Sequence, residues 1–262
     1  MHIHMTGVKG TGMTALAEVL HHRGARITGS DVEERYFTDE LLAAIGITPL
    51  VGFAAEHVPP ETDLLVYSAA YPEDNPERAA ARARGISQFS YTEMLGKISE
   101  TMPAVAVSGV HGKTTTTAMI GMMIAESDIP ATVVVGSGVA GFGGSATLIR
   151  GNDLLVAETC EYRRHFLDYR PDVVLITNVE ADHLDYYRDA DDVRSAFLEL
   201  VATLPADGVV VYCADDPGAA AVAAAAGESH PDLRIVPYGF SAAGPGRIAE
   251  YVAAAGEQTF RL

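Results

Sequence analysis

Residues 107–118 read V-S-G-V-H-G-K-T-T-T-T-A. An apolar strand, "AVAVSG", runs into this stretch, and a helical pattern, "TTTTAMIGMMIAES", runs out of it. Strand, glycine turn, Lys-Thr and helix in that order describe a phosphate-binding loop. The spacing departs from G-x-x-x-x-G-K-[ST], because Val107 stands where the first glycine belongs and Gly109 makes the loop two residues short. Gly109 and Gly112 allow backbone amides to turn inward as an anion nest. Lys113 can reach terminal phosphates, and Thr114 can ligate Mg²⁺. β-Branched residues are poor helix formers, so Thr114 and Thr115 at a first turn suggest a role beyond the helix. Thr116 and Thr117 are read as packing or capping residues. The stretch predicts a nucleotide site.

A Mg²⁺-nucleotide site needs acids at the ends of neighbouring strands, where an α/β sheet binds its ligands. "LLVAE" delivers Glu158 there, and "VVLITNVEADHLDYY" delivers Asn178, Asp182, His183 and Asp185. His183 is flanked by acids and follows a buried strand, as expected of an imidazole ligand with acidic support.

Toward the N-terminus lies a second glycine cluster, Gly7-V-K-Gly10-T-Gly12. It follows the strand "IHMT" and opens the helix "MTALAEVLHHRG". Lys9 occupies the second glycine of the dinucleotide fingerprint G-x-G-x-x-G, which disfavours a dehydrogenase. The context still suits a diphosphate at a helix N-terminus, with Lys9 adding charge and Asp31 placed for a ribose hydroxyl. A plain β–α turn without ligand is the competing reading.

Strand–helix alternation continues through "ARITGSD", "DELLAAIG", "TDLLVYSAA" and "NPERAAARARG", the last with Asn75 as N-cap and Pro76 at the first helical position. This predicts a parallel, Rossmann-like sheet. The pattern loosens around "GKISETMPA", and a second P-loop-type α/β block follows. The expected division is 1–101 and 102–262. "EQTFRL" reads as a strand cut short, so the second block is expected to be incomplete.

The 262 residues are 48% hydrophobic and 20% charged, ordinary for a soluble globular protein. A net charge of −17 argues against a nucleic-acid partner and requires local cations for any anionic substrate. Cys160 and Cys213 form no C-x-x-C pair and predict no disulfide framework. No stretch approaches a membrane span and no signal pattern opens the chain, so a cytoplasmic location is expected.

Four stretches together resemble the Mur ligases of bacterial cell-wall synthesis. They are G109-V-H-G-K-T-T115, G7-V-K-G-T-G-M13 with "GSD" at 29–31, "SAAYPEDNPE" at 68–77, and "TNVEADHLDYY" at 177–187. The first is similar to the family's shortened loop, and His111 is typical of its alanine-adding branch. The resemblance implies a UDP-binding domain using Gly7, Lys9, Gly10, Thr11, Gly12, Asp31 and Ser68. It implies an ATP site formed by Gly109, Val110, His111, Gly112, Lys113, Thr114 and Thr115. The implied reaction phosphorylates the lactyl carboxylate of UDP-N-acetylmuramate with ATP, and L-alanine then attacks the acyl phosphate. Lys113, Glu158 and His183 would be catalytic, and Thr114, Glu158 and His183 would hold Mg²⁺. Asn178 would line the site and Asp182 would orient His183.

Three departures qualify the resemblance. The carbamylated lysine of other Mur ligases has no counterpart after Lys113, which suits the alanine-adding branch. Where the family continues E-A-D-E-S, this chain has E158-T-C-E-Y-R-R-H, in which Glu158 and Glu161 keep their places. Arg163 or Arg164 is expected either to contact the sugar nucleotide or to lie in a salt-bridged turn. The C-terminal domain that contacts ATP and the incoming L-alanine is expected to be missing, so the chain alone should bind nucleotide weakly and ligate poorly or not at all. Other readings are a sister ligase that attaches a recycled peptide, a non-catalytic nucleotide-binding module, and a simple P-loop kinase or ATPase.

Overall fold

A computed structural model describes residues 1–254 and 257–261. The chain divides into two compact units, Met1–Met102 with Ala118–Leu155, and Pro103–Thr117 with Val156–Leu262.

The first unit opens with β1 (His2–Thr6), α1 (Thr11–His22), β2 (Arg26–Asp31), α2 (Thr38–Ala44) and β3 (Leu50–Val51). It continues with β4 (Leu64–Tyr67), α3 (Pro76–Ala83), β5 (Ser87–Ser90) and α4 (Tyr91–Ser99). The strands form a sheet in the order β3-β2-β1-β4-β5, parallel throughout. Central β1 is buried along its whole length, as expected for a parallel strand covered on both faces. Ile3, Met5, Leu16 and Leu65 are fully buried at the centre of this core.

Local chemistry sets the helix ends. Asn75 accepts from the amides of Glu77 and Arg78 and so caps α3, as its sequence predicts. Residues 91–99, where the pattern looks loose, form α4. Its start is a capping box, with Ser90 accepting from Glu93 N–H and the Glu93 carboxylate accepting from Ser90 N–H.

The phosphate-loop strand is β6 (Ala104–Ser108), and α5 (Lys113–Ala125) follows it. Then come β7 (Ala131–Val134) and β8 (Thr147–Ile149), an antiparallel pair in the first unit. The glycine-rich segment between them is a loop with a short 3₁₀ turn at Ala140–Phe142. The second unit continues with β9 (Leu154–Glu158), β10 (Val173–Ile176), α6 (Ala190–Val201), β11 (Val209–Cys213), α7 (Pro217–Ser229) and β12 (Arg234–Tyr238). Its strand order is β12-β11-β10-β6-β9, with β6, β10, β11 and β12 pairing in parallel. This puts the end of β6 between those of β9 and β10, where acids at strand ends can meet the loop. Its core gathers Val174, Ile176, Val193, Leu200 and Val222, and Phe166 meets Phe197 edge-on at 5.3 Å. An antiparallel pair, β13 (Ala249–Ala254) and β14 (Glu257–Arg261), follows; the expected strand "EQTFRL" is β14, and its Leu262 lies outside the described residues.

Candidate functional site

The loop between β6 and α5 is fixed by the strand beside it. Gly109 has φ +135° and Gly112 has φ +79°, so both occupy backbone that favours glycine. A Cβ at Gly109 would overlap Thr177 Oγ1 and stand 3.0 Å from Asn178 N. Asn178 then braces the loop. Its backbone carbonyl accepts from Val110 N–H at 3.2 Å, and its Oδ1 accepts from His111 N–H at 2.8 Å. Its amide donates back to His111 O at 3.2 Å, and Thr177 Oγ1 donates to the same carbonyl at 2.6 Å. Asn178 therefore shapes the loop that sequence placed beside it. The His111 imidazole faces outward, 3.1 Å from the exposed Glu180.

Lys113 folds back under this loop. Its ammonium donates to Gly109 O, to Val110 O at 3.0 Å, and to Glu161 Oε2 at 2.9 Å. Thr114 Oγ1 donates to Glu158 Oε1 at 2.9 Å, which joins the first turn of α5 to the end of β9. Thr117 is fully buried and donates to Lys113 O at 2.9 Å, a packing role as expected.

Glu161 is the residue that the predicted site lacks. Its side chain is 2% exposed, and its carboxylate lies between Lys113 and His183, whose Nε2 is 3.4 Å from Glu161 Oε1. The signal for it is a second acid three residues beyond Glu158 in "ETCEY", just past a buried strand. Tyr187 was also missed. It is buried, its hydroxyl donates to Glu161 O, and burial foremost pushes its phenol up to about 12.

His183 has φ +51°, uncommon for a residue with a side chain. Three hydrogen bonds hold that turn: Asp182 Oδ1 accepts from His183 N–H at 2.6 Å, and His183 O accepts from Tyr186 and Tyr187 N–H. Asp182 was expected to orient the imidazole, but its carboxylate is engaged by the His183 backbone. The imidazole meets Glu161 and packs on the Tyr162 ring at 4.8 Å instead.

Of the two arginines, Arg164 is salt-bridged to Asp192 at 3.0 Å and Glu199 at 2.7 Å, both on α6. That is the structural side of its two predicted readings. The Arg163 guanidinium sits 5.4 Å from the Tyr162 ring centre. Both cysteines are free thiols.

In the first unit, the expected UDP-binding residues other than Gly12 line one cavity of about 430 Å³. Tyr36, Phe37 and Tyr71 complete its wall and were not predicted. Tyr71 fills the space where a Cβ on Gly7 would be, and its hydroxyl donates to Asp31 at 3.2 Å. Burial, then the Asp31 charge, pushes the Tyr71 phenol up to about 12. Gly12 lies on α1 instead, where a Cβ would crowd the Tyr91 ring at 3.1 Å. Lys9 does not offer a free charge. Its ammonium donates to Val32 O and Glu34 O and pairs with Asp39 at 3.2 Å, while its backbone N–H donates to Asp31.

The model of the Mur ligase family catalytic domain matches residues 2–102, and that of the Mur ligase middle domain matches residues 107–260. The chain belongs to the Mur ligase family. It is 47% identical over 238 residues to the UDP-N-acetylmuramate–L-alanine ligase of Treponema pallidum (strain Nichols), covering 90% of this chain and 50% of that one. The like-named protein of Desulfitobacterium hafniense is 48% identical over 225 residues, covering 86% and 49%. The chain thus spans about half the length of the curated relatives it matches. The crystal structure of UDP-N-acetylmuramate–alanine ligase from Thermotoga maritima superposes with a TM-score of 0.73 at 28% identity, covering 85% and 51%. A ligase for UDP-N-acetylmuramate and L-alanyl-γ-D-glutamyl-meso-diaminopimelate from Neisseria meningitides has a TM-score of 0.81 at 22% identity, covering 96% and 81%, a likeness of fold alone.

Mur ligases are ATP-dependent ligases. Among the described residues, no three His, Cys, Asp or Glu side chains gather to hold a metal by themselves. The Thr114–Glu158 pair offers one hydroxyl and one carboxylate. That donor set fits Mg²⁺, which takes one or two carboxylates and completes its shell with water and phosphate oxygens. No helix is long and apolar enough to cross a membrane among the described residues.

Proposed function

We propose that this chain carries the sugar-nucleotide and ATP sites of a ligase that joins L-alanine to the lactyl carboxylate of UDP-N-acetylmuramate in peptidoglycan precursor synthesis. The observation that carries the reading is the braced G-V-H-G-K-T loop with Lys113 beneath it, Thr114 on Glu158, and Glu161 facing His183. Sequence likeness to proteins named as alanine-adding ligases supports that acceptor over the recycled peptide.

In this reading residues 1–101 form the UDP-binding domain and 102–262 the ATP-binding domain. The aromatic wall of the 430 Å³ cavity takes the UDP end of the substrate, against Gly7, Gly10, Thr11, Asp31 and Ser68. At the loop, Lys113 and the amides of residues 112–114 stabilise charge on the moving phosphoryl group. Phosphoryl transfer makes an acyl phosphate on the lactyl carboxylate, and the amine of L-alanine displaces phosphate to leave an amide. Thr114 and Glu158 would hold Mg²⁺ at the phosphates, and His183 would hold a second. The ions would screen repulsion between carboxylate and γ-phosphate. The reaction belongs in the cytoplasm, where ATP is available.

The test is phosphate release by the full-length enzyme with ATP, Mg²⁺ and UDP-N-acetylmuramate. L-alanine, glycine, L-serine and an L-alanyl-γ-D-glutamyl tripeptide are offered in turn. Preference for L-alanine is the expected result. Preference for the tripeptide moves the assignment to the recycling ligase, and no amine-dependent release overturns it.

A further inference from the structure

We infer that Glu161 holds Lys113 in a resting position, and that a triphosphate enters the loop by exchanging the Lys113–Glu161 pair for a Lys113–phosphate pair. The inference rests on the ATP site proposed above.

An ammonium has three N–H donors and no more. In Lys113 they go to Gly109 O, Val110 O and the Glu161 carboxylate. None remains for a phosphate oxygen. Two loop amides are engaged as well, Val110 N–H by Asn178 O and His111 N–H by Asn178 Oδ1. Lys113 and the first two loop amides are therefore satisfied from within, and a phosphate that bonds Lys113 displaces at least one of its partners.

Glu161 is the partner that decides the exchange. The two carbonyls belong to the loop backbone, while Glu161 supplies a full charge from a side chain 2% exposed. A charge-assisted bond to a buried carboxylate is stronger than one to a carbonyl. The carboxylate is itself anchored. Glu161 O accepts from the buried Tyr187 hydroxyl, and Glu161 Oε1 faces His183 Nε2 at 3.4 Å. When Lys113 leaves in the absence of Mg²⁺, Glu161 Oε1 still faces His183 Nε2. Glu161 is thus a positioning residue acting through Lys113 and touching no substrate atom.

Two effects of Glu161→Gln must be separated: release of Lys113, and relief of plain repulsion between a carboxylate and the triphosphate. A double-mutant cycle does so. ATP is titrated without Mg²⁺, in EDTA, onto the 262-residue chain, its Glu161→Gln and Lys113→Met variants and the double variant. Melting curves check that each is folded. The expected result is affinity about ten-fold tighter in Glu161→Gln, from loss of one charge-assisted bond in the resting state. In the Lys113→Met background, with ATP raised until binding is measurable, the same change should yield no gain. Glu161→Asp, which withdraws the carboxylate by one methylene, should give a smaller gain and serves if the glutamine variant does not fold.

Unchanged or weaker ATP binding in Glu161→Gln overturns the inference. So does an equal gain in both backgrounds, which would assign the effect to repulsion alone. If the unaltered chain shows no saturable ATP binding, with or without Mg²⁺, the proposed ATP site itself fails.

Discussion

The turn after β1 and the turn after β6 are built alike and equipped differently. Each follows a buried parallel strand, contains a left-handed glycine and a lysine, and opens a helix. In the first, Lys9 turns into the protein toward Val32 O, Glu34 O and Asp39, and the cavity wall is made of tyrosine and phenylalanine. In the second, Lys113 stays under the loop beside a buried carboxylate, and threonine and acids surround it. In the proposed function the first turn would recognise by shape and aromatic surface, the second by charge. A lysine in a glycine turn therefore says little until its counter-ion is known.

The glycines give the strongest way to break this comparison. Gly109→Ala forces a Cβ into Thr177 and the Asn178 backbone at positive φ. It should cost roughly 3 kcal/mol and abolish nucleotide binding. Gly7→Ala is also strained by its φ of +82°, but it meets the Tyr71 ring, a side chain rather than backbone, so its cost should be smaller and fall chiefly on UDP-sugar affinity. Thermal unfolding and titrations with each nucleotide decide this. Equal effects would show that both turns are braced by backbone.

Acid should test the first unit next. Glu77 is fully buried in the first unit, 3.3 Å from His4 and 3.2 Å from His57, with Ser30 and Thr6 donating to it. Burial pushes its carboxyl up, but the bonds from His4, Ser30 and Thr6 outweigh this and hold it below the usual range. Burial, then the Arg26 charge, holds His2 below the ordinary imidazole value. Both are depressed groups, so their stabilisation is present above the unfolded values and is lost as pH falls. Melting temperature should decline from about pH 6.5 through His2, and further below about pH 4.5 through Glu77. Glu77→Gln should flatten the lower limb, and an unchanged limb would remove Glu77 from the account.

What could be read from sequence follows range of action. The β1–α1 turn, the loop before α5 and the Asn75 cap are local patterns, and they stand where the residues place them. Glu158 and His183 follow from the rule that strand ends converge. Glu161 stands in the same pattern, but its meeting with Lys113, His183 and Tyr187 does not follow, because it depends on register between distant segments. The nine-residue α4 was illegible for another reason: Met94, Leu95 and Ile98 offer little more than one turn of apolar spacing.

Smaller effects sharpen the second turn and then the first. Arg164→Ala removes both contacts to α6 and should cost about 1–2 kcal/mol, leaving substrate affinity unchanged. Arg163→Ala should stay within about 0.5 kcal/mol. Weakened UDP-sugar binding in either variant would restore the sugar-nucleotide role. Tyr71→Phe keeps the ring and loses one bond to Asp31, so UDP-sugar affinity should fall by only a few-fold, from about 1 kcal/mol.

The central claim is that the short loop is an ATP site worked by Lys113. Calorimetric titration of Mg²⁺-ATP onto this chain and its Lys113→Ala variant tests it most directly. One saturable site in the unaltered chain, weakened by about 100-fold or more in the variant, is the predicted result. Saturable binding of equal strength in both would contradict it.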